Sequence, residues 1–478
     1  MLIGIDVGTT AVKAALFNEK GQALRRFGKT YATSRPAPGY AEQDPAQWMD
    51  LVLQALTELS TGVSIKAIGL CSQVNTHVFV GDHNQALRPA LTWQDTRCAV
   101  DATVLDSKIC SDDKIHWWGA PLPVDASHML ARMAYIARIE PDLWARTHYV
   151  LAPKDYCIAA LTGEVVSDPM THFGILDQSL DLIEPLIALL PGSKERLPRI
   201  SPFTSHAGRV RNGLPCAGVP VVTSAMDAWS GLYGAGISEE GQGLYLSGTS
   251  EILGLISNKR NPTPGVIAFA KCEGLTLHAG PTQSGGASAH WVSRLLGHDV
   301  ADLFALAERA DLHHVPLFLP HLEGERAPLW DAEAKGSFMG LTSATGPAEL
   351  ARAVLEGVAY SARLVLERLE DSGGRSAEII HHSGGGSRAD LWCQIRSDVL
   401  GKTLQRTAMS DAGVLGAALI AGVCVGLFNS LAEATKDFVI FDKVFEPRIA
   451  MSARHHTRYQ AYQLAYEQLK PVNKQFTS

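Results

Sequence analysis

The sequence predicts an α/β protein of two related domains, and three observations support this prediction. At 478 residues, the chain exceeds the length at which a single hydrophobic core stops growing. Its opening, residues 2–32, contains two apolar runs and a third strand candidate, joined by Gly-bearing turns as in an antiparallel meander, and helix and strand patterns alternate after it. Residues 243–257 then repeat the opening plan of apolar strand, Gly-Thr turn and apolar strand.

The order of these patterns gives an expected boundary. Asp44 is a predicted N-cap, with Pro45 at the first helical position and apolar residues at helical spacing through Leu59. The glycines of the segment GAGISEEGQG permit backbone conformations that suit a hinge. We therefore expect an N-terminal domain of residues 1–236, a C-terminal domain of residues 237–478, and a functional cleft between them.

Composition argues against several classes of partner. The net charge is -7, and the 19% of charged residues form no basic stripe of the kind that neutralises nucleic acid. The start of the chain lacks the pattern of a signal peptide, and the apolar stretch 412–428 is shorter than a membrane span. The eight cysteines have no metal-ligand or redox spacing. We expect a cytoplasmic protein with reduced thiols and neither a nucleic-acid nor a membrane partner.

The first candidate site is the Gly-Thr-Thr turn after the opening strand. Backbone N–H groups and the hydroxyls of Thr9 and Thr10 can bind an anion, and Asp6 at the strand end can hold Mg²⁺. Lys13 lies on the following strand. An ordinary hairpin with a turn-capping Asp explains the same residues. Gly248 and Thr249, in the repeated Gly-Thr turn, would offer a second set of donors.

Two later Gly-rich segments and one acid complete the candidates. The segments containing Gly286 and Gly384-Gly385 each precede a helical pattern, so they fit either a nucleotide contact or a tight strand-to-helix turn. Asp227 follows an apolar strand, where it can act as a general base or cap the next helix. The paired histidines lack zinc-binding spacing, and no HExxH or GxSxG motif is present.

Seven blocks in sequence order resemble the FGGY family of carbohydrate kinases, over nearly the whole chain. They are IGIDVGTTAVKAALF, LRPALTWQDTRC, APKDYCIAALTGE, PVVTSAMDAWSGLYGAG, LSGTS, LPHLEGERAPLWD and SGGGSRADLWCQIRSDVLG. The resemblance implies two actin-like (ribonuclease-H-like) domains with a nucleotide/sugar cleft, and phosphorylation of a small sugar by ATP with Mg²⁺. It implies that the N-terminal domain binds the sugar and the C-terminal domain the adenosine, and it suggests a homodimer.

The resemblance also implies roles for individual residues. Asp227 would be the catalytic base, and Asp6 would lie at the Mg-ATP phosphates as a metal ligand. Thr9, Thr10 and Lys13 would form the first phosphate loop. The remaining nucleotide contacts would be Gly248, Thr249, Gly286, Gly384 and Gly385.

The sugar-binding segment departs from the pattern of the xylulokinase-like branch. That branch carries Gln-Met-His-Gly where this chain has Gln73-Val74-Asn75-Thr76. Asn retains hydrogen-bonding capacity but has a different reach and no titratable ring. Trp93 would form a wall of the pocket. The leading substrate expectation is a ketopentose such as xylulose, and another ketose, a polyol or a sugar acid like gluconate are alternatives.

Two other readings of the same blocks remain open at this point. A catalytically silent sugar or nucleotide sensor would keep the fold without turnover. A chaperone-like ATPase would hydrolyse ATP without regard to sugar. The presence of both carboxylates and both Gly-Thr turns argues against the sensor, and the GERAP and KDY blocks argue against the chaperone.

Overall fold

The strands of the computed structural model, which describes residues 1–476, form two large mixed sheets and four two-stranded sheets. The strands are β1 (Leu2–Val7), β2 (Ala11–Phe17), β3 (Ala23–Thr30), β4 (Glu42–Gln43), β5 (Ala67–Ser72), β6 (Val78–Val80), β7 (Ala90–Leu91), β8 (Tyr149–Leu151), β9 (Val166–Ser167), β10 (Arg199–Ile200), β11 (His206–Arg209), β12 (Pro220–Val222), β13 (Gln242–Ser247), β14 (Glu251–Ile256), β15 (Ile267–Ala268), β16 (Leu277–Pro281), β17 (Leu317–Leu319), β18 (Ser337–Met339), β19 (Ile379–Ser383), β20 (Leu404–Thr407) and β21 (Phe441–Phe445).

The α-helices alternate with these strands over most of the chain. They are α1 (Pro45–Ser60), α2 (Ala99–Asp106), α3 (Ser111–Trp118), α4 (Met129–Ile139), α5 (Pro141–Arg146), α6 (Pro153–Thr162), α7 (Glu184–Ile187), α8 (Asp227–Gly234), α9 (Gly286–Leu296), α10 (Val300–Glu308), α11 (Pro347–Gly373), α12 (Asp390–Leu400), α13 (Ala412–Cys424), α14 (Leu431–Phe438) and α15 (Ile449–Asn473).

The two sheets share one plan, as the repeated Gly-Thr pattern predicts. The first sheet has the order β11-β12-β5-β1-β2-β3, in which β1 pairs antiparallel with β2 and parallel with β5. The second has the order β15-β16-β14-β13-β19-β20-β21, in which β13 pairs antiparallel with β14 and parallel with β19. The predicted α/β class and the opening antiparallel meander are confirmed.

The chain divides into two compact units that are not single stretches of sequence. The first unit consists of Met1–Ser238, Phe269–Cys272 and Asp411–Val439, and the remaining residues form the second unit. A single boundary near residue 236 does not describe this arrangement, because the segment 411–439 returns to the first unit. Its helix α13 carries small residues that allow it to pack directly on the first sheet.

Glycines make this packing possible by letting backbones touch. A Cβ on Gly4 of β1 would lie 1.9 Å from the Val414 carbonyl oxygen, and one on Gly69 of β5 would lie 2.0 Å from that of Ala417. Residues Ala412–Cys424 thus form a buried, closely packed helix. Within residues 1–476, no helix is long and apolar enough to cross a membrane.

A substitution at Gly416 of α13 tests how much this close backbone packing contributes to the stability of the protein. A Cβ at this position would lie 1.7 Å from the Ser230 carbonyl oxygen of α8, so the helices must move apart to admit it. We expect Gly416→Ala to lower the free energy of unfolding by about 3 kcal/mol, measured by urea denaturation. Gly28→Ala, where the new Cβ meets no atom within 4 Å, should change it by less than about 0.5 kcal/mol. Equal stability of the two variants would contradict this account.

Candidate active site

The first unit buries the Asp6 carboxylate at the end of its central strand. Asp6 lies opposite Lys13 on β2 and Cys71 on β5. Burial raises the pKa of Asp6 to about 6, an effect that Lys13 opposes and Asp411 reinforces. Its Oδ1 atom is buried without a hydrogen-bond partner. A hard divalent cation, which prefers oxygen ligands, fits this carboxylate oxygen.

Asp227 is the second candidate carboxylate of the first unit, where its side chain is partly buried. It is the first residue of α8, five residues beyond the buried end of β12. Burial raises the pKa of Asp227 to about 7, and the nearby Asp6 carboxylate raises it further, whereas a hydrogen bond from the Ala228 N–H, at 2.7 Å, lowers it. A carboxylate with a pKa near neutrality can accept a proton from a hydroxyl group.

The Gly-Thr-Thr turn is held in place by hydrogen bonds from three other parts of the first unit. The Trp93 indole Nε1 donates to Thr9 Oγ1 at 3.1 Å, and Gln43 Nε2 donates to the Thr9 carbonyl at 2.7 Å. The Tyr31 N–H donates to the Thr10 carbonyl at 3.1 Å. These contacts fix the turn before any ligand binds.

Lys13 has a partner that the sequence pattern did not indicate. Its Nζ atom lies 2.8 Å from Asp411 Oδ1, and the two residues are 398 positions apart in the chain. The ammonium group is half exposed. The return of residues 411–439 to the first unit therefore places a carboxylate beside the lysine of the first loop.

The predicted sugar-binding segment begins directly after β5. Gln73 Nε2 donates to Gln43 Oε1 at 2.8 Å, while Gln73 Oε1 is buried without a hydrogen-bond partner. Asn75 has a positive φ of 51° and donates from Nδ2 to Ser127 Oγ at 3.2 Å. Val74 is partly exposed. Gln43 thus joins this segment to the Gly-Thr-Thr turn, a link that the sequence pattern did not reveal.

A buried charge cluster, absent from the sequence prediction, supports both the sugar-binding segment and Asp227. The fully buried Lys154 Nζ lies 2.6 Å from Asp155 Oδ1 and 2.9 Å from Asp168 Oδ2, and it donates to the Thr223 carbonyl at 3.2 Å. The Lys154 N–H donates to Ser72 Oγ at 3.1 Å. Ser72 and Thr223 lie at the ends of β5 and β12, so the cluster ties these two strand ends together.

The second unit brings the predicted nucleotide glycines together. The turn between β13 and β14 contains Gly248 and Thr249, and the Gly286 N–H donates to the Gly248 carbonyl at 2.9 Å. A Cβ on Gly286 would lie 2.6 Å from that same oxygen, so this contact requires glycine. The two segments form one continuous backbone surface.

The third glycine segment packs against the same turn. Gly384 has a φ of 99°, and a Cβ on it would lie 2.3 Å from the Ser247 carbonyl oxygen. A Cβ on Gly385 would meet no atom within 4 Å. The chain forms a 3₁₀ turn at Gly385–Arg388 before α12, which begins at Asp390. This backbone cradle suits the phosphates or flat base of a nucleotide.

The predicted residues therefore gather as two sets, each within one unit. The first unit contains Asp6, Thr9, Thr10, Lys13, Gln73, Val74, Asn75, Trp93 and Asp227, and the second contains Gly248, Thr249, Gly286, Gly384 and Gly385. Within residues 1–476, no three His, Cys, Asp or Glu side chains converge as a metal site. A cation at Asp6 would accordingly need most of its ligands from phosphate oxygens and water.

Comparison with known proteins agrees over the full length. The family models for the N-terminal and C-terminal domains of FGGY carbohydrate kinases match residues 1–234 and 243–425. The chain is 30% identical to the xylulose kinase of Escherichia coli (strain K12), over 99% of this chain and 100% of that protein.

Solved structures give the same result for the fold. A ligand-bound xylulose kinase from Lactobacillus acidophilus superposes with a TM-score of 0.91 at 25% identity, covering 99% of both chains. A gluconate kinase from the same organism has a TM-score of 0.90 at 25% identity and the same coverage. The family resemblance and the two-domain α/β class are confirmed. The chain belongs to the FGGY family of carbohydrate kinases and is an ATP-dependent kinase acting on a sugar hydroxyl.

Proposed function

We propose that this kinase phosphorylates a ketopentose, with xylulose as the first choice, and that Asp227 is its catalytic base. The observation that carries the catalytic assignment is the partly buried position of Asp227 near Asp6, with a pKa raised to about 7. The substrate assignment is supported by relatives that are named xylulose kinases and match nearly the whole chain.

The proposed proton transfer uses the carboxylate that burial has made basic. Asp227 accepts the hydroxyl proton of the sugar as that oxygen becomes a nucleophile. The Ala228 N–H, which donates to Asp227 Oδ1, holds the carboxylate in one orientation. When bound, Mg-ATP supplies the γ-phosphoryl group and the positive charge that neutralises its oxygens. Asp6 Oδ1 is the proposed protein ligand of Mg²⁺.

The other predicted residues take roles in binding. In the first unit, Gln73 Oε1, which has no hydrogen-bond partner in the protein, accepts from a sugar hydroxyl, and Trp93 and Val74-Asn75 border the sugar. Thr9, Thr10 and Lys13 bind phosphate oxygens. In the second unit, the nucleotide contacts are Gly248, Thr249, Gly286, Gly384 and Gly385.

A sugar acid is the second candidate substrate. Asn75 stands where the xylulokinase-like pattern has His, and its side chain is held by Ser127. The comparable fold of a gluconate kinase supports keeping this alternative, along with other ketoses and polyols. The proposal also includes a cytoplasmic homodimer without nucleic-acid or membrane partners, on the strength of the family resemblance and the net charge of -7.

Asp227→Asn tests the catalytic assignment. Removing the base while keeping the shape of the side chain should lower kcat for sugar phosphorylation by about 10³-fold or more, with the dissociation constant for ADP changed less than about threefold. Kinetics come from a coupled ADP-release assay and binding from calorimetry. The exposed helical residue Asp50 provides the control, because Asp50→Asn should keep normal turnover. Near-normal turnover of the Asp227 variant would eliminate the assignment.

The raised pKa of Asp227 also predicts a pH-dependent stability difference. The pKa is about 7 in the folded protein, against ~3.9 for Asp in an unfolded chain, so folding becomes less favourable as pH rises between these values. In metal-free, ligand-free protein, Asp227→Asn should therefore raise the free energy of unfolding by about 2–4 kcal/mol at pH 8 and leave it unchanged near pH 4. Urea denaturation at both pH values measures this. A variant that is less stable than wild type at pH 8 would refute the prediction.

Asn75→His tests whether the altered segment sets sugar specificity. The ADP-release assay, run on ketopentoses, other ketoses, polyols and gluconate, should identify the wild-type substrate. The variant should change the ratio of kcat/KM between ketopentose and sugar acid by about tenfold, because its hydrogen-bonding reach differs. Asn84 is a matched control, since it also has a positive φ, of 59°, and Asn84→His should leave the ranking unchanged. An unchanged ranking in Asn75→His would show that this segment does not set specificity.

A further inference from the structure

A fully buried ion pair in the second unit has no role in the chemistry proposed above. Arg396 of α12 and Glu251 of β14 have side chains that are 0% and 1% exposed. Removing two charges from water is costly, and replacing such a pair by apolar residues is often neutral or stabilising. The contacts of this pair are therefore of interest for what they hold in place.

The Arg396 guanidinium connects two of the three glycine segments. Its Nη1 atom donates to the Gly386 carbonyl at 3.0 Å, and its Nη2 atom donates to Ser247 Oγ at 2.7 Å as well as to Glu251. Ser247 immediately precedes Gly248, and Gly386 follows Gly384-Gly385. The planar guanidinium of Arg396 thus bridges the segment that contains Gly248 and the segment that contains Gly384 and Gly385. The guanidinium also stacks on the Trp392 ring, 3.8 Å from its centroid.

Glu251 extends the connection to the third segment. Its carboxylate accepts from Ser247 Oγ at 2.9 Å and from the Tyr245 hydroxyl at 2.6 Å. Its carbonyl accepts from the Thr282 N–H at 2.9 Å, and Thr282 Oγ1 donates to the Ser284 carbonyl at 2.6 Å. Ser284 begins the Ser-Gly-Gly segment that contains Gly286.

We infer that Arg396 and Glu251 form a positioning unit for the nucleotide. The pair holds the segments 247–249, 284–286 and 384–386 in the mutual arrangement that binds ATP, without touching the ligand itself. This inference rests on the proposed assignment of the nucleotide to these segments. A purely structural role would affect the stability of the second unit but would not act on nucleotide binding in particular.

The test compares substitutions in this pair with one in a matched pair. Arg396→Lys keeps the charge but loses the bridging fork, and Glu251→Gln keeps the shape but loses the charge. Each should raise KM for ATP and the dissociation constant for ADP about tenfold or more, with KM for the best sugar changed less than about twofold. The control is the buried pair Arg352–Glu356 of α11, 2.9 Å apart. Arg352→Lys should leave both nucleotide constants within about twofold.

The outcomes separate the inference from the function on which it rests. A wild-type protein that neither binds ADP nor phosphorylates any sugar overturns the proposed function. A working wild type whose folded Arg396 and Glu251 variants keep their nucleotide constants overturns the inference. If both variants fail to fold, Ser247→Ala decides, because it removes only the hydroxyl shared by Arg396 and Glu251. A rise of about threefold in KM for ATP supports the inference, and an unchanged value overturns it.

Discussion

Two partly buried carboxylates that lie near each other in the first unit set the main constraint on this structure. Burial raises the pKa of both Asp6 and Asp227 toward neutrality, and the Asp6 carboxylate raises the pKa of Asp227 further. Such a pair persists only where the surrounding backbone is fixed. Helix α13 meets β1, β5 and α8 at Gly4, Gly69 and Gly234. These elements carry or precede both carboxylates and the proposed sugar-binding segment. The unfavourable electrostatics are thus offset by close packing of backbone on backbone.

In the second unit, glycine contacts and a buried ion pair hold the proposed nucleotide site. A site that binds a nucleotide through backbone groups must leave that backbone exposed, so the segment has few packing contacts. Its glycines also lose more conformational entropy on folding than other residues do. In this unit, the glycine segments touch one another directly, and Ser247 lies where they meet. A buried ion pair beneath them replaces the side-chain packing that glycines cannot provide. In the first unit, the buried ion pairs of Lys154 with Asp155 and Asp168 likewise lie between the ends of β5 and β12.

The sequence alone predicts the structural features that depend only on residues close together in the chain. The hairpin turns, the helix cap at Asp44 and the position of Asp6 at a strand end all follow from neighbouring residues. The contacts that no local pattern reveals join distant parts of the chain, such as Lys13 with Asp411, 398 positions away, or Arg396 with Glu251, 145 positions away. Gln43 was missed for the same reason, because its partners Thr9 and Gln73 become neighbours only when the sheet forms. Periodicity and turn residues carry no information about such pairs.

The return of residues 411–439 to the first unit has a consequence for how the protein is made. A ribosome releases the chain from its N-terminus, and a domain of contiguous sequence can complete its fold as soon as it emerges. Here the helix that covers β1 and β5 is synthesised only after most of the second unit. Until then, the glycine faces of those strands lack their cover. The nascent first unit can complete its fold only after residues 411–439 have been synthesised, so its final assembly follows the synthesis of most of the second unit.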